Sequence, residues 1–419
     1  MCRTGSPAKS YLEPVWVVAV LLLLVPVARC AERLNILAIG QVMPGESVIP
    51  AWFDADPLVR YVLIATDIDI MGGTWVAGQP VMEDAWRRYI RIYFPKTREA
   101  LVRDFEFIVF PDGYIEPFTA YQKEDMKYGM ENGVGSLVTM GGDLAAPGYK
   151  SYPGWKNSVL YDLMPVELTD NMKQDFSQYR VHVVKTDPAV LSVFVPLGIE
   201  KISGSGFTYL YPRAGTTTWA KLSSGTLPSG VPGEWLVSWR CGPSGGTFWT
   251  VADDLDHPWW SSRQNEYAMD VFLNILLYST GRSLPSDILT VHEIRSHYWH
   301  YNQEKLLLLS LLEFVDSFGG NTRSLEEQIE AADQEKARSF ELYRTEEFDG
   351  ALDWVEKGIR RIRTTAENAV KVKDRALLWV YLSEWSAVTG TVLASGLVVY
   401  TLLVKRRLYK EVEVTRSGA

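Results

Sequence analysis

Residues 104–144 read DFEFIVFPDGYIEPFTAYQKEDMKYGMENGVGSLVTMGGDL, and this stretch decides the fold. Phe105 to Phe110 is short, apolar and rich in aromatic and β-branched residues, as expected of a strand covered on both faces of a parallel sheet. Pro111-Asp112-Gly113 turns the chain, and Thr119 is placed to cap a helix with Tyr121, Met126 and Met130 facing inward. Asn132-Gly133 tolerates the left-handed backbone that ends a helix, and a second apolar strand, Ser136 to Met140, stops at Gly141-Gly142. Strand, loop, helix and strand make a βαβ unit. Ligands of open α/β sheets bind beyond the carboxyl ends of the strands. That makes Asp112, Gly113 and Tyr114 after the first strand, and Gly141, Gly142 and Asp143 after the second, candidates for ligand binding.

Outward from this unit, LNILAIGQ at 34–41 and YVLIATDI at 61–68 read as earlier strands, and KTREALVRD at 96–104 reads as a helix. Residues 87–97, RRYIRIYFPKT, alternate basic and aromatic side chains. With a chain charge of -9, a half-exposed strand or helix flank explains them better than a nucleic-acid patch, and no nucleic-acid partner is expected. Residues 145–165 have loop composition around a short helix at Ser158 to Leu163. From 180 to 240, short β-rich runs alternate with turns, and Gly204 to Gly233 reads as a surface insertion. WLVSWRCGPSGGTFWTVADD, 235–254, predicts a hairpin, and a helix from Glu266 to Thr280 closes the domain at Gly281 with Ala268, Val271, Phe272, Ile275 and Leu276 on one face.

The order FEFIVFPDG, GVGSLVTMGGD, YPGW, SVLYDLMPVEL and WLVSWRCGPSGGTFWTVADDLDHPWW resembles the class I glutamine amidotransferase-like domain over residues 34–281. More narrowly, it is similar to membrane-anchored amidotransferase-like proteins of archaeal and bacterial surfaces. The resemblance implies an α/β, flavodoxin-like, mostly parallel sheet with helices on both faces over residues 31–283. In that family it places the 235–254 hairpin at the far end of the sheet. It also implies a cysteine nucleophile on a strained turn after the fourth strand and a late histidine with a carboxylate. Laid on this sequence, the pattern puts Met140 at the nucleophile position and Asp253 near the base. A thioether cannot attack a carbonyl carbon, so no catalytic residue of that mechanism is expected.

Cys241 lies in the predicted hairpin turn, away from a strand-to-helix elbow that could lower its pKa. The sharper cluster is Asp253-Asp254-Leu255-Asp256-His257-Pro258-Trp259-Trp260. Its carboxylates Asp253, Asp254 and Asp256 are candidates for a hard cation, although they lack the spacing of a recognised loop and aspartates after a strand also cap helices and form turns. A pocket with Trp259 and Trp260 as an apolar or sugar-stacking wall and Asp112 and Asp143 opposite is a second reading. No cofactor is implied. His292, His297 and His300 could share one helix face, but read more simply as solvated or packed histidines.

The two ends of the chain describe topology. Arg3 and Lys9 precede VWVVAVLLLLVPVA, 15–28, and Ala28 and Cys30 stand where a signal peptidase needs small side chains, so residues 1–30 read as a secretory signal, with an uncleaved anchor as the alternative. After cleavage Cys241 is the one cysteine left, so an intramolecular disulfide is excluded and the core alone must hold the fold. At the other end SAVTGTVLASGLVVYTLLV, 386–404, is uncharged and long enough to span a bilayer about 30 Å thick. Trp385 and Lys405-Arg406-Arg407 flank it, so residues 385–404 are expected to cross the membrane with 405–419 on the cytoplasmic side.

Between head and span, 284–384, Phe348, Leu352, Val355, Ile359, Ile362, Ala366 and Ala369 recur at steps of four and three. With Leu325, Ile329, Ala332 and Phe340, and with LLLLSLLEFV before Gly319-Gly320, they predict a three-helix bundle or stalk that could also pair with a second copy. Two functions compete: a non-catalytic surface module that binds a ligand or protein, and an envelope hydrolase that uses Asp253, Asp254, Asp256 and His257.

Overall fold

The computed structural model describes residues 33–42, 47–66, 75–76, 79–80, 82–149 and 151–416. The expected signal segment lies outside them, as do the side chains at 75–76, 79–80, 82–85, 143 and 408–416. The chain divides into two units, residues 1–285 with 340–348, and residues 286–339 with 349–419.

In order, the first unit runs β1 (Leu34–Gly40), α1 (Ile49–Asp54), β2 (Val59–Ala65), the short β3 (Trp75–Val76) and β4 (Gln79–Pro80), α2 (Met82–Tyr93), α3 (Arg98–Asp104), β5 (Phe107–Phe110), α4 (Ala120–Glu131) and β6 (Gly135–Thr139). It continues with α5 (Tyr152–Lys156), β7 (Gln174–Val183), β8 (Ser203–Thr208), β9 (Thr217–Ser223), β10 (Glu234–Arg240), β11 (Thr247–Val251) and α6 (Ala268–Ser279). Nine strands form one sheet in the order β2-β1-β5-β6-β11-β10-β9-β7-β8. From β2 across to β11 every pairing is parallel. From β11 onward every pairing is antiparallel.

The sheet is therefore mixed and only partly parallel, where the sequence led us to expect a mostly parallel one. The difference comes from 174–240. Gly204 to Gly233 is not an insertion: β8 and β9 lie within it and pair with β7, β9 also pairing with β10. Their glycines hid them, because a Gly-containing run carries little of the side-chain pattern that marks a strand. The hairpin β10-β11 sits inside the sheet, with β11 joining the parallel half to the antiparallel half.

In the central unit, β5 and β6 are buried along their length, and Thr119 caps α4 reciprocally with Gln122. Met126 and Met130 face the core, but Tyr121 is 84% exposed and does not. The basic and aromatic run at 87–97 begins within helix α2, with Trp86 and Ile90 inward and Arg87, Arg88 and Arg91 outward. The short helix expected at Ser158 to Leu163 is a single 3-10 turn at Tyr161–Leu163, and the α-helical turn lies earlier, in α5.

The second unit holds α7 (Ile288–Ser317), most of α8 (Arg323–Arg344) and α9 (Phe348–Arg416). Along the seam, Val355, Ile359, Ile362 and Ala369 of α9 are buried, as are Leu325, Ile329 and Ala332 of α8 and Leu308, Leu312 and Val315 of α7. Polar ties fix the register: Tyr298 shares a hydrogen bond with Ser339 at 2.7 Å, and Arg361 grips Glu335 with two bonds of 3.0 and 2.7 Å. Farther along, α9 contains a stretch long and apolar enough to cross a membrane by length and composition, and none of that stretch is buried.

Candidate functional site

The carboxyl ends of the parallel strands bring four loops together. After β1, Gln41 donates its backbone N–H to Pro111 and its side-chain amide, at 3.4 Å, to Asp256. After β5, Asp112 takes a left-handed backbone, φ 45°, that aspartate tolerates better than most side chains, and its N–H is held by Thr139 at 2.8 Å. After β6, Met140 is fully buried, donates its N–H to Val251 and accepts a hydrogen bond from the Thr208 hydroxyl. After β11 come Asp253 to His257.

At the centre of this last loop is a chain of hydrogen bonds. Asp253 is fully buried and accepts from the Tyr179 hydroxyl on Oδ2, while Oδ1 faces Nδ1 of His257 and accepts the Asp254 N–H at 2.9 Å. Trp235 donates its indole N–H to Tyr179 at 3.3 Å, and Gly206 offers its carbonyl to His257 Nδ1 at 2.8 Å. Asp254, also buried, accepts the Leu255 N–H at 2.7 Å.

Three of these partners, Tyr179, Gly206 and Trp235, come from the antiparallel half, and alternate glycines of β8 make room for the Tyr179 and His257 rings. A Cβ on Gly204 would stand 2.2 Å from the Tyr179 ring, and one on Gly206 would stand 2.7 Å from the His257 ring. Only a bare backbone lets both rings lie against β8. The sequence reading missed Tyr179, Gly206 and Thr208. Ser203-Gly204-Ser205-Gly206-Phe207 was the available signal, since glycines at every second position strip one face of a strand.

Burial sets the charges. It raises the Asp253 carboxyl above its usual range, against the pull of His257, Tyr179 and the Asp254 N–H. Burial first, and then the neighbouring Asp256, push Asp254 up to about 7. For His257, burial works against the charged form, but its hydrogen bond to Asp253 and the charges of Asp253, Asp254 and Asp256 outweigh it and lift the imidazole to about 9. At neutral pH the histidine is therefore an imidazolium. That charge stabilises the acidic loop, whereas general-base work favours a group that is unprotonated near the working pH.

The remaining candidates are spread over different surroundings. Gly141 packs on Asp254 and Gly142 on the Asp112 carboxylate. Gly113 gives its carbonyl to the Trp155 indole at 2.7 Å, and Tyr114 meets Trp86 edge-on. The Asp143 side chain lies outside the described residues. Trp259 and Trp260 do not form a pocket wall: both are fully buried, Trp235 lies edge-on to Trp259 with centroids 4.5 Å apart, and it stacks on Trp260 at 5.5 Å. Indoles of this size gain more from the core than from solvent, so they were drawn inward. Cys241 is buried, and desolvation pushes its thiol up to about 12. Among the described residues no group of three or more His, Cys, Asp or Glu side chains could hold a metal, so Asp253, Asp254 and Asp256 do not converge as a cation site, nor do His292, His297 and His300.

No known family model matches the chain, and no curated protein matches it. Among solved structures, a chain titled mmIFT52 N-terminal domain is 13% identical, with a TM-score of 0.28 over 46% of this chain and 89% of that one. Likeness at that level leaves function to be read from the residues themselves.

Proposed function

We propose that the protein is a membrane-tethered, extracytoplasmic binding module whose head keeps the flavodoxin-like plan of class I glutamine amidotransferases without their reactive centre. The observation that carries this reading is the closure of the acidic loop on itself, with Asp253 fully buried and engaged by Tyr179 and His257. Three further features support it. The parallel strands run β2-β1-β5-β6-β11, the order of a doubly wound flavodoxin-like sheet. Met140, which stands where the resemblance puts the nucleophile, is a buried thioether with both backbone groups bonded. The apolar stretch of α9 is exposed from Leu382 to Val404 and is followed at once by Lys405-Arg406-Arg407, which under the positive-inside rule sets the head outside.

The rival reading, an envelope hydrolase, draws on the Asp253–His257 pairing, which orients an imidazole as catalytic dyads do. An assay separates the two. The detergent-solubilised full chain is offered glutamine and a chromogenic ester, and release of ammonia or chromophore should match buffer alone; turnover that disappears in His257→Gln would establish the hydrolase. Orientation is checked by protease treatment of intact cells: the head is cleaved while a C-terminal epitope survives. A protected head would refute the topology.

A further inference from the structure

The end of the sheet opposite these loops carries a second site. There the amino ends of β5, β6, β9 and β11 and the carboxyl end of β10 border an open cleft of about 810 Å³ that reaches the last turn of α6. Cross-strand register builds its floor. Thr217 pairs with Ser238, Ser238 with Trp249, and Arg240 with Thr247, so Thr217, Trp219, Ser238, Arg240, Thr247 and Trp249 share one face of the sheet. Tyr278 of α6 lies edge-on to Trp219 and Trp249, which sit 4.9 Å apart, and covers that pair. Beyond Ser279 the helix ends, and the strip of hydroxyls and cations is left open.

Ser238, Trp239, Ser279 and Thr280 in the lining are hydrogen-bonded within the protein, whereas its cations and three of its hydroxyls are not paired off. Lys185 lies over the Trp219 ring at 5.3 Å, and Arg240 makes a single bond of 3.3 Å to the Gly245 carbonyl; neither has a carboxylate partner among the described residues. Glu106, the one acidic side chain in the lining, is already neutralised by two bonds of 2.9 and 3.2 Å from Arg282. The hydroxyls of Thr217, Thr247 and Tyr278 have no side-chain or backbone partner among the described residues. Two helix carboxyl termini also border the cleft, but capping bonds such as Arg282 N–H to Leu277 and Val134 N–H to Gly129 close their carbonyls. Two full positive charges outweigh what partial charge remains there.

We propose that this cleft binds a carboxylated sugar, a uronic acid or an oligosaccharide containing one. Lys185 and Arg240 take the carboxylate, while the Thr217, Thr247 and Tyr278 hydroxyls meet the sugar hydroxyls. The volume falls within the roughly 300–1,000 Å³ usual for small-molecule sites. The assignment does not depend on the proposal for the opposite end or on membrane orientation.

The test titrates the detergent-solubilised full chain with glucuronate, glucose and inorganic phosphate and follows the fluorescence of the cleft tryptophans. Glucuronate should saturate the change, glucose should bind far more weakly, and added salt should weaken glucuronate. Lys185→Gln with Arg240→Gln should weaken glucuronate about tenfold or more, while Tyr278→Phe with Thr217→Val should weaken glucuronate and leave any phosphate binding alone. Thermal melts confirm that each variant is folded. No saturable response to glucuronate, equal responses to glucuronate and glucose, or phosphate competing as well as glucuronate would each overturn the assignment.

Discussion

The two ends of one sheet solve opposite problems. At the carboxyl ends of the parallel strands, buried Asp253, Tyr179 and Trp235 and the half-buried His257 are joined by hydrogen bonds, with the Trp259 and Trp260 rings packed against Trp235. At the amino ends, hydroxyls and two cations face an open cleft with few protein partners. The contrast teaches that position on a fold is a weak guide to which side chains are left facing solvent. The end that α/β sheets most often use is the one this chain has turned into core.

If that division is right, substitutions at the closed end should cost stability and those at the open end should not. The largest loss is expected for Trp260→Ala, which removes a fully buried indole stacked on Trp235. It should cost about 3–5 kcal/mol, read as a lowered melting temperature of the solubilised chain. Asp253→Ala comes next: it strands the Tyr179 hydroxyl and the His257 imidazole, at a cost of about 2–4 kcal/mol. Survival of the Asp253→Ala protein with an unchanged melt would show that the closed end is not holding the fold.

The same loop makes stability depend on pH in one direction. A folded-state pKa above the unfolded value stabilises below the unfolded pKa and is lost as pH climbs through the folded one. His257 is lifted from 6.5 to about 9, so its contribution is complete below pH 6.5 and gone above about 9. Asp254 is lifted from 3.8 to about 7, which sheds stability between those values. Melting temperature should therefore decline from mildly acidic to alkaline pH, and His257→Gln should flatten the part above neutrality. A melt that rises with pH would contradict the ion pairing.

Smaller still is Gly142→Ala. The glycine has φ 54°, and an added Cβ would stand 2.6 Å from the Asp112 carboxylate. About 1–3 kcal/mol is expected, with an unaltered melt counting against the tight apposition of these two loops. The smallest effect belongs to the open end. Lys185→Gln with Arg240→Gln should shift stability by no more than about 0.5 kcal/mol, and a larger loss would mean that these cations brace the sheet.

Much of the parallel half was legible because its signals are local. Thr119 three residues before Gln122, and apolar runs ending at Pro111 and Gly141, announce their elements within a few residues. The antiparallel half was not, because β8 is a strand by virtue of its neighbours: its Gly204 and Gly206 carry no pattern until Tyr179 and His257 lie against them. In the site, Asp253 and His257 were visible as a cluster, since they are four residues apart. What could not be read was their orientation. Tyr179, which closes the cluster, is 74 residues away and is recognised only as an inward position on β7. Trp259 and Trp260 misled for a related reason: an indole beside carboxylates suits a binding wall and a core equally well until burial is known.

The last helix has a mechanical implication. From Phe348 to Arg416 it is one uninterrupted element of 69 residues, on the order of 100 Å at about 1.5 Å per residue. No proline breaks it, and Gly358, its one glycine between the first turn and Gly390, is wedged against Tyr301. Such an element behaves as a driveshaft with no universal joint. Any torque that repacks its seam against α7 and α8 arrives, undiminished by a hinge, at the apolar stretch beyond.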